Sequence, residues 1–264
     1  MRERNILLTI EYDGTLFYGW QRQPEARTVQ GELEKVLSKV CGTAVLLNGT
    51  SRTDAGVHAL GQKASFKVKS GIPTEKIGTV VNNMLSGGKQ SRNKCADVRI
   101  TDVREVPDDF HARFCSKGKK YRYLIRNEAE PAIFERNYSY FVKEPLDLER
   151  MKKAAEYIKG THDFACFQSA GGNPRETTVR TVYSLDVFHT SDGKTAIEIS
   201  GDGFLYNMVR IITGTLVEVG NGKREPEELE RIIESGDRRN AGHTAPPEGL
   251  YLVEVYYDES EAFL

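Results

Sequence analysis

Apolar residues in the first part of the chain recur at two spacings, one typical of strands and one typical of helices. Strands are predicted at residues 6–12, 44–47, 64–68 and 97–106, and the first one ends at the turn signal Asp13-Gly14. Helices are predicted from Val29 to a stop at Gly42, and from Thr74 to Leu85. The inward positions of the second helix are Ile77, Val80, Val81 and Leu85. This β-α-β-β-α-β order predicts a sheet with helices packed on one face.

The rest of the chain repeats this order with longer elements. Tyr121, Tyr123 and Ile125 occupy every second position, which is typical of a strand with one packed face. Further helices are predicted at residues 147–159, 206–219 and 226–235, and further strands at 178–189, 194–200 and 250–257. We therefore predict an α/β protein of the α+β type, made of two related halves, residues 1–106 and 107–264. Each half would be a mainly antiparallel sheet in RRM-like or ferredoxin-like order, with a ligand cleft between the halves.

The composition is that of an ordinary folded protein, since 39% of the 264 residues are hydrophobic and 28% are charged. No apolar run reaches the roughly 20 residues needed to cross a bilayer. Residues 1–5 lead straight into a strand without a signal-peptide pattern. We expect a cytoplasmic protein without membrane contact. The four cysteines and five histidines lack metal-ligand spacing, so we expect no metal.

The net charge of −1 does not indicate a nucleic-acid partner, but the charges are unevenly distributed. Five basic residues and no acidic one lie between Lys117 and Arg126, whereas acidic residues crowd positions 225–237. A basic surface on one side of the protein would suit RNA. Because such a run is also typical of a solvated strand or loop, both interpretations stay open.

The segment from Thr50 to Ala59 places an arginine, an aspartate and a glycine in a turn of small residues between two strands. Loops of this kind often hold reactive groups. Arg52 beside Asp54 would keep the carboxylate ionised and therefore nucleophilic. The alternative is an Asx turn, in which Asp54 binds its own backbone and Arg52 faces solvent.

Residues 52–59, Arg-Thr-Asp-Ala-Gly-Val-His-Ala, closely resemble the catalytic loop of the TruA family of tRNA pseudouridine synthases. The resemblance continues in order along the chain, through residues 11–14, 19–23, 28–34, 110–114, 120–123, 207–210 and 244–250. Two features depart from the family pattern. The segment from Leu85 to Ala96 is longer and more basic than expected, and Ser51 stands where many relatives have glycine.

The resemblance implies that Asp54 bonds transiently to the target nucleotide while the glycosidic bond breaks and the base turns and rejoins through carbon. It also implies that Tyr121 stacks on the uracil and relays a proton, and that Arg52 helps to extrude the base or fills its vacated space. Arg210 would form an ion pair with Asp54 across the cleft. Taken alone, Tyr121 is more typical of strand packing. Arg210 lies in an apolar helix and needs a partner, but an unrelated structural pair or a position facing solvent would also satisfy it.

Other roles implied by the resemblance are less specific. Leu205 and Val209 would line the uracil pocket, although core residues have the same spacing. Contacts to tRNA phosphates are expected from basic residues that also fit an ordinary surface: Arg22, Arg27, Lys119, Lys120 and Arg122. The implied substrate is uridine at positions 38, 39 and 40 of the tRNA anticodon arm, recognised by shape and flexibility. No cofactor is required, and we expect a homodimer in which one tRNA contacts both subunits.

Two other classes of function remain. A non-catalytic RNA-binding protein could use the same sheets, and its function would survive Asp54→Asn. A hydrolase with a carboxylate nucleophile, acting on a nucleoside or glycoside, would need a second carboxylate as acid and base. The loop at residues 52–59 contains only one.

Overall fold

The computed structural model describes residues 2–87, 96–171 and 176–258. Its helices and strands follow the chain in this order: β1 (Arg4–Tyr12), α1 (Val29–Cys41), β2 (Asn48–Gly49), β3 (His58–Val68), α2 (Thr74–Leu85), β4 (Val98–Val106), β5 (Gly118–Asn127), β6 (Tyr140–Val142), α3 (Leu148–Glu156), β7 (Gly160–Asp163), β8 (Val179–His189), β9 (Thr195–Gly201), α4 (Met208–Gly220), α5 (Glu228–Ser235) and β10 (Leu250–Tyr256).

The chain folds into two compact units: residues up to Ser116 with Leu252–Tyr257 form the first, and Lys117–Tyr251 with Asp258 form the second. In the first unit the strand order is β4-β1-β3-β10, and β1 pairs antiparallel with both β3 and β4. In the second unit the order is β5-β9-β8-β7, with antiparallel pairs throughout and β6 added in parallel beside β5. The predicted fold class, a mainly antiparallel sheet with helices, is confirmed. That the chain consists of two structurally related halves stays a prediction.

Local signals explain most helix boundaries. The helix α1 begins where Thr28 Oγ1 accepts a hydrogen bond from Gly31 N, and it ends at Gly42, which has a left-handed φ of 70°. The predicted bounds of α2 are confirmed. Its inward positions are partly wrong, since Val80 is 36% exposed and Gly78 is buried in its place. The backbone of α2 packs so closely that a Cβ on Gly78 would lie 3.1 Å from Val103 Cγ2.

The strand predicted at residues 44–47 is wrong. The backbone N–H of Val45 donates to Ser38 Oγ, and that of Leu47 donates to Glu34 Oε1. Both acceptors belong to α1, so these N–H groups are not available to a sheet. Strand pairing begins only at Asn48, where the two-residue β2 meets β3. The helix predicted at residues 147–159 also ends early, at Glu156, because Gly160 already begins β7.

The first compact unit extends to Ser116, and the division into halves after residue 106 stays a prediction. Residues 107–116 pack on the first unit, because Asn5 Nδ2 donates to the carbonyl oxygens of Pro107 and Phe110 at 2.8 Å. The last strand, β10, also lies beside β3 of the first unit. Most of the segment from Leu85 to Ala96, whose length departs from the family pattern, falls outside the described residues.

Candidate active site

Asp54 lies in the loop that joins β2 to β3. The loop turns sharply after it, because Val57 N–H donates to Asp54 O at 3.2 Å and Gly56 has a φ of 79°. Asp54 is half-buried, while Arg52 is exposed. An Asx turn would use the N–H of Gly56 to bind the Asp54 side chain. In the structure that N–H donates to Phe17 O at 3.4 Å, which argues against the Asx turn.

The loop is anchored by side chains of β3 and β1. Gln62, fully buried in β3, accepts a hydrogen bond from Ser51 N at 3.2 Å and donates one to Ser51 O at 2.8 Å. The hydroxyl groups of Thr53 and Tyr12, at the end of β1, lie 2.8 Å apart. The residues directly before Asp54 are therefore fixed by buried hydrogen bonds.

Two glycines let another part of the chain approach the loop closely. A Cβ on Gly19 would lie 2.5 Å from Thr53 O, and one on Gly14 would lie 2.1 Å from Val57 O. Both distances are too short for a real side chain. Trp20 N–H donates to Thr53 O at 3.1 Å within the same contact. The family-like segments at residues 11–14 and 19–23 are thus the support of the Asp54 loop, a role that the sequence analysis did not recognise.

Ser51, the second departure from the family pattern, does not strain this turn. Among the described residues with a side chain, only Glu25 and Asn207 have a positive φ, so Ser51 keeps an ordinary backbone conformation. Its side chain is buried, at 3% exposure. Its hydroxyl oxygen has no hydrogen-bond partner within the described part of the chain. Ser51 therefore lowers stability by burying a polar group without a partner, and not by distorting the loop.

Tyr121 occupies the middle of β5 in the second unit, opposite Ile199 of β9. Its side chain is 8% exposed, and its ring meets the ring of Phe204 edge to face, with centroids 5.3 Å apart. Leu205 and Val209 are each 4% exposed and are packed as core residues. A tyrosine ring beside a phenylalanine ring is a suitable surface for a planar base.

Arg210 lies in the first turn of α4 and is held by groups of its own unit. Its Nε donates to Ala245 O at 2.7 Å, and its Nη1 donates to Asn207 Oδ1 at 2.9 Å. Ala245 N–H in turn donates to Arg210 O at 3.0 Å. Asn207 supplies its amide from a left-handed conformation, with a φ of 61°. Asp54 and Arg210 belong to different units, and their pairing stays a prediction.

Tyr123 fixes the segment that carries Ala245, because its hydroxyl donates to Pro246 O at 2.7 Å. Burial and the nearby carboxylate of Glu248 raise the pKa of Tyr123 well above its usual value. The shift only strengthens the protonation that a tyrosine already has at physiological pH, so the hydroxyl donates. The family-like residues 244–250 thus support Arg210, much as the two glycines support Asp54.

Three of the predicted phosphate contacts are engaged in ion pairs in the structure. Arg22 pairs with Glu34 at 3.0 Å, Arg27 with Asp97 at 2.5 Å, and Arg122 with Glu198 across β5 and β9 at 2.6 Å. The Arg27–Asp97 pair is partly exposed on both sides and contributes only about 0–1 kcal/mol, so a phosphate group could replace that carboxylate. Glu34 and Glu198 are more deeply buried, so Arg22 and Arg122 are held more firmly in their pairs. Lys119 and Lys120 lie half-buried on β5. Contact of these five residues with RNA stays a prediction.

Two negative results apply to the described residues alone. They contain no group of three or more histidine, cysteine, aspartate or glutamate residues arranged to hold a metal ion. None of their helices is long and apolar enough to span a membrane.

Comparison with known proteins agrees with the sequence resemblance. Residues 8–115 and 154–258 match the family model described as tRNA pseudouridine synthase. The chain is 50% identical to the tRNA pseudouridine synthase A proteins of Ruminiclostridium cellulolyticum and Acetivibrio thermocellus, over 96% of this chain and 100% of each relative. Among solved structures it is similar to a chain from the crystal structure of a Cbf5-Nop10-Gar1 complex, with a TM-score of 0.36 and 11% identity. That similarity covers 96% of this chain and 59% of the other.

Proposed function

The chain belongs to the tRNA pseudouridine synthase family, and on this premise we propose that it isomerises uridine at positions 38, 39 and 40 of the tRNA anticodon stem-loop. It is thus an isomerase that acts on tRNA. The positions, the nucleophile and the extrusion of the base are the parts that we propose. The family membership argues against the hydrolase, which would release a free base instead of rejoining it.

The reaction suits a single carboxylate. Asp54 attacks either C6 of the uracil or C1′ of the ribose, and the N1–C1′ bond breaks. The base turns, C5 bonds to C1′, the C5 proton is lost, and Asp54 leaves with its electron pair. A proton returns to N1, so the product has the same atoms as the substrate. No oxidant, metal or other co-reactant is consumed.

The support for Asp54 is the way its loop is built. The turn that follows it, the buried Gln62 anchor and the approach of Gly19 hold a half-buried carboxylate on a rigid element. A fixed nucleophile avoids the entropy of ordering it at each turnover. A solvated surface aspartate would need none of these contacts.

The remaining roles follow from the resemblance together with the surroundings of each side chain. Tyr121 stacks on the extruded uracil, with Leu205 and Val209 completing an apolar surface. Arg52, which is exposed, fills the place of the base in the RNA. The hydrogen bonds to Ala245 and Asn207 orient the guanidinium of Arg210, as expected for a cation that keeps a carboxylate ionised.

The test is tritium release from C5-labelled uridine in unmodified tRNA transcripts. The wild-type protein should release tritium from a transcript with uridine at positions 38–40 and not from one with cytidine there. Asp54→Asn should lower the rate by about 10³-fold or more while tRNA is still bound. Asp102→Asn, the same change at an exposed carboxylate on β4, should leave the rate unchanged. Full activity in Asp54→Asn would overturn the assignment of the nucleophile.

We also propose that the protein is a cytoplasmic homodimer. An apolar surface on the second unit supports self-association, because Ile133 and Phe134 are 71% and 90% exposed. Light scattering during size-exclusion chromatography should give twice the 29.7 kDa chain mass. Phe134→Asp should yield a monomer, and a wild-type monomer at micromolar concentration would refute the proposal.

A further inference from the structure

A small cluster of two aromatic rings and one cation lies at the surface of the first unit. It consists of His111, Arg113 and Phe114. Phe114 is 76% exposed, although phenylalanine side chains are usually buried. The His111 ring lies 4.3 Å from the Phe114 ring at an angle of 34°, and Arg113 Cζ lies 5.8 Å from the same ring.

The cluster stands on a fixed base. Ala112, in its middle, is fully buried, and its N–H donates to Ser65 Oγ at 3.1 Å. Its carbonyl accepts hydrogen bonds from the hydroxyls of Thr50 and Tyr257, each at 3.0 Å. Burial raises the pKa of Tyr257, so this hydroxyl remains a donor. An exposed ring on a rigid base is ready to bind a flat partner without first being ordered.

The charged residues in this part of the chain favour base stacking, and not electrostatic attraction, as the main contact with RNA. Arg104 and Arg113 are exposed and have no acidic partner within the described residues. Asp108 and Asp109, also exposed, stand two and three residues before His111 and bring negative charge to the same stretch of chain. RNA bound here would be held mainly by base–aromatic contact, which depends little on salt, with Arg113 adding a cation that can reach a phosphate.

We propose that Phe114 is a platform on which an unpaired base of the tRNA substrate stacks, separate from the uridine that reacts. The proposal rests on the proposed function, because that function makes RNA the partner. Thr50 connects the Phe114 cluster to the Asp54 loop. Its hydroxyl donates to Ala112 O in the cluster, and Thr50 is also the first residue of the segment that leads to Asp54. A base seated on Phe114 is therefore held at a fixed position relative to the Asp54 loop within the same unit.

The experiment measures the dissociation constant of an unmodified tRNA transcript for the full chain. Phe114→Ala should weaken binding about 5-fold or more, by the usual value of one stacked base. The loss should be nearly the same at low and high salt. Phe114→Tyr should bind within about 2-fold of wild type, because the tyrosine ring restores stacking. Leu46→Ala, which removes another side chain that is 65% exposed in the same unit, serves as the control and should bind normally.

A fully paired RNA of equal length decides whether the contact is to an unpaired base. Phe114→Ala should bind that duplex as wild type does. Equal affinity of Phe114→Ala and wild type for tRNA would overturn the proposal, and so would a change in oligomer mass, which would indicate a protein partner instead. Binding and tritium release are separate readouts, so a wild-type protein that binds tRNA but releases no tritium would refute the proposed function and not this inference.

Discussion

Gly19→Ala adds one methyl group beside the Asp54 loop. We expect this change to reduce the rate of tritium release by more than its effect on stability can explain. The added Cβ would lie 2.5 Å from Thr53 O, whereas real Cβ atoms almost never come closer than 3.0 Å, so the loop must move by at least 0.5 Å. The neighbour is a backbone oxygen, which cannot rotate aside as a side chain can. The shift would therefore pass directly to Asp54, the next residue.

The expected magnitudes follow from two separate costs. Gly19 has a φ of 84°, and placing a side chain in this left-handed region costs about 1–2 kcal/mol. That cost should lower the melting temperature by about 2–8 °C for a protein of this size. A misplacement of about 1 Å can reduce turnover about 100-fold, so a shift of half that size should reduce it about 10-fold.

Gly42 provides the matched control. It has a φ of 70°, but its Cβ would meet nothing within 4 Å. Gly42→Ala should therefore lower the melting temperature by the backbone cost alone, and no more than Gly19→Ala does, while tritium release stays at the wild-type rate. Equal activity of the two variants would refute the view that Gly19 fixes the position of the Asp54 loop.

Two further predictions concern buried polar groups. Ser51→Ala should raise the melting temperature by about 2–4 °C, because it removes a buried hydroxyl without a partner among the described residues. Ser65→Ala, which loses a hydrogen bond, should lower it, and a loss of stability in both variants would contradict this reasoning. Burial alone would raise the pKa of Glu218, but hydrogen bonds from Arg224 and His243 outweigh it and lower that pKa below its usual value of 4.5. Glu218 therefore stabilises the fold above this pH and loses its contribution as the pH falls. Urea unfolding should show Glu218→Gln less stable than wild type at neutral pH, with the difference shrinking as the pH falls below 4.5, and a difference that persists in acid would contradict the assignment.

The sequence alone was sufficient where the signal is local. The bounds of α2 and the alternation of Tyr121, Tyr123 and Ile125 in β5 follow from periodic spacing over one element, and both are confirmed. The family was also readable, because the residues around Asp54 resemble it over eight consecutive positions. The strand predicted at residues 44–47 failed because side chains of α1 bind its N–H groups, a contact that spacing does not record.

The sequence by itself therefore determined the fold class, the family and the identity of the candidate nucleophile. Only the tertiary structure decided how that nucleophile is held. Gly14, Gly19 and Gln62 meet the Asp54 loop from other elements, and Ala245 reaches Arg210 from 35 residues away along the chain. Such contacts depend on the packing of separate elements and on backbone atoms that every residue has, so the side-chain pattern along the chain carries no record of them.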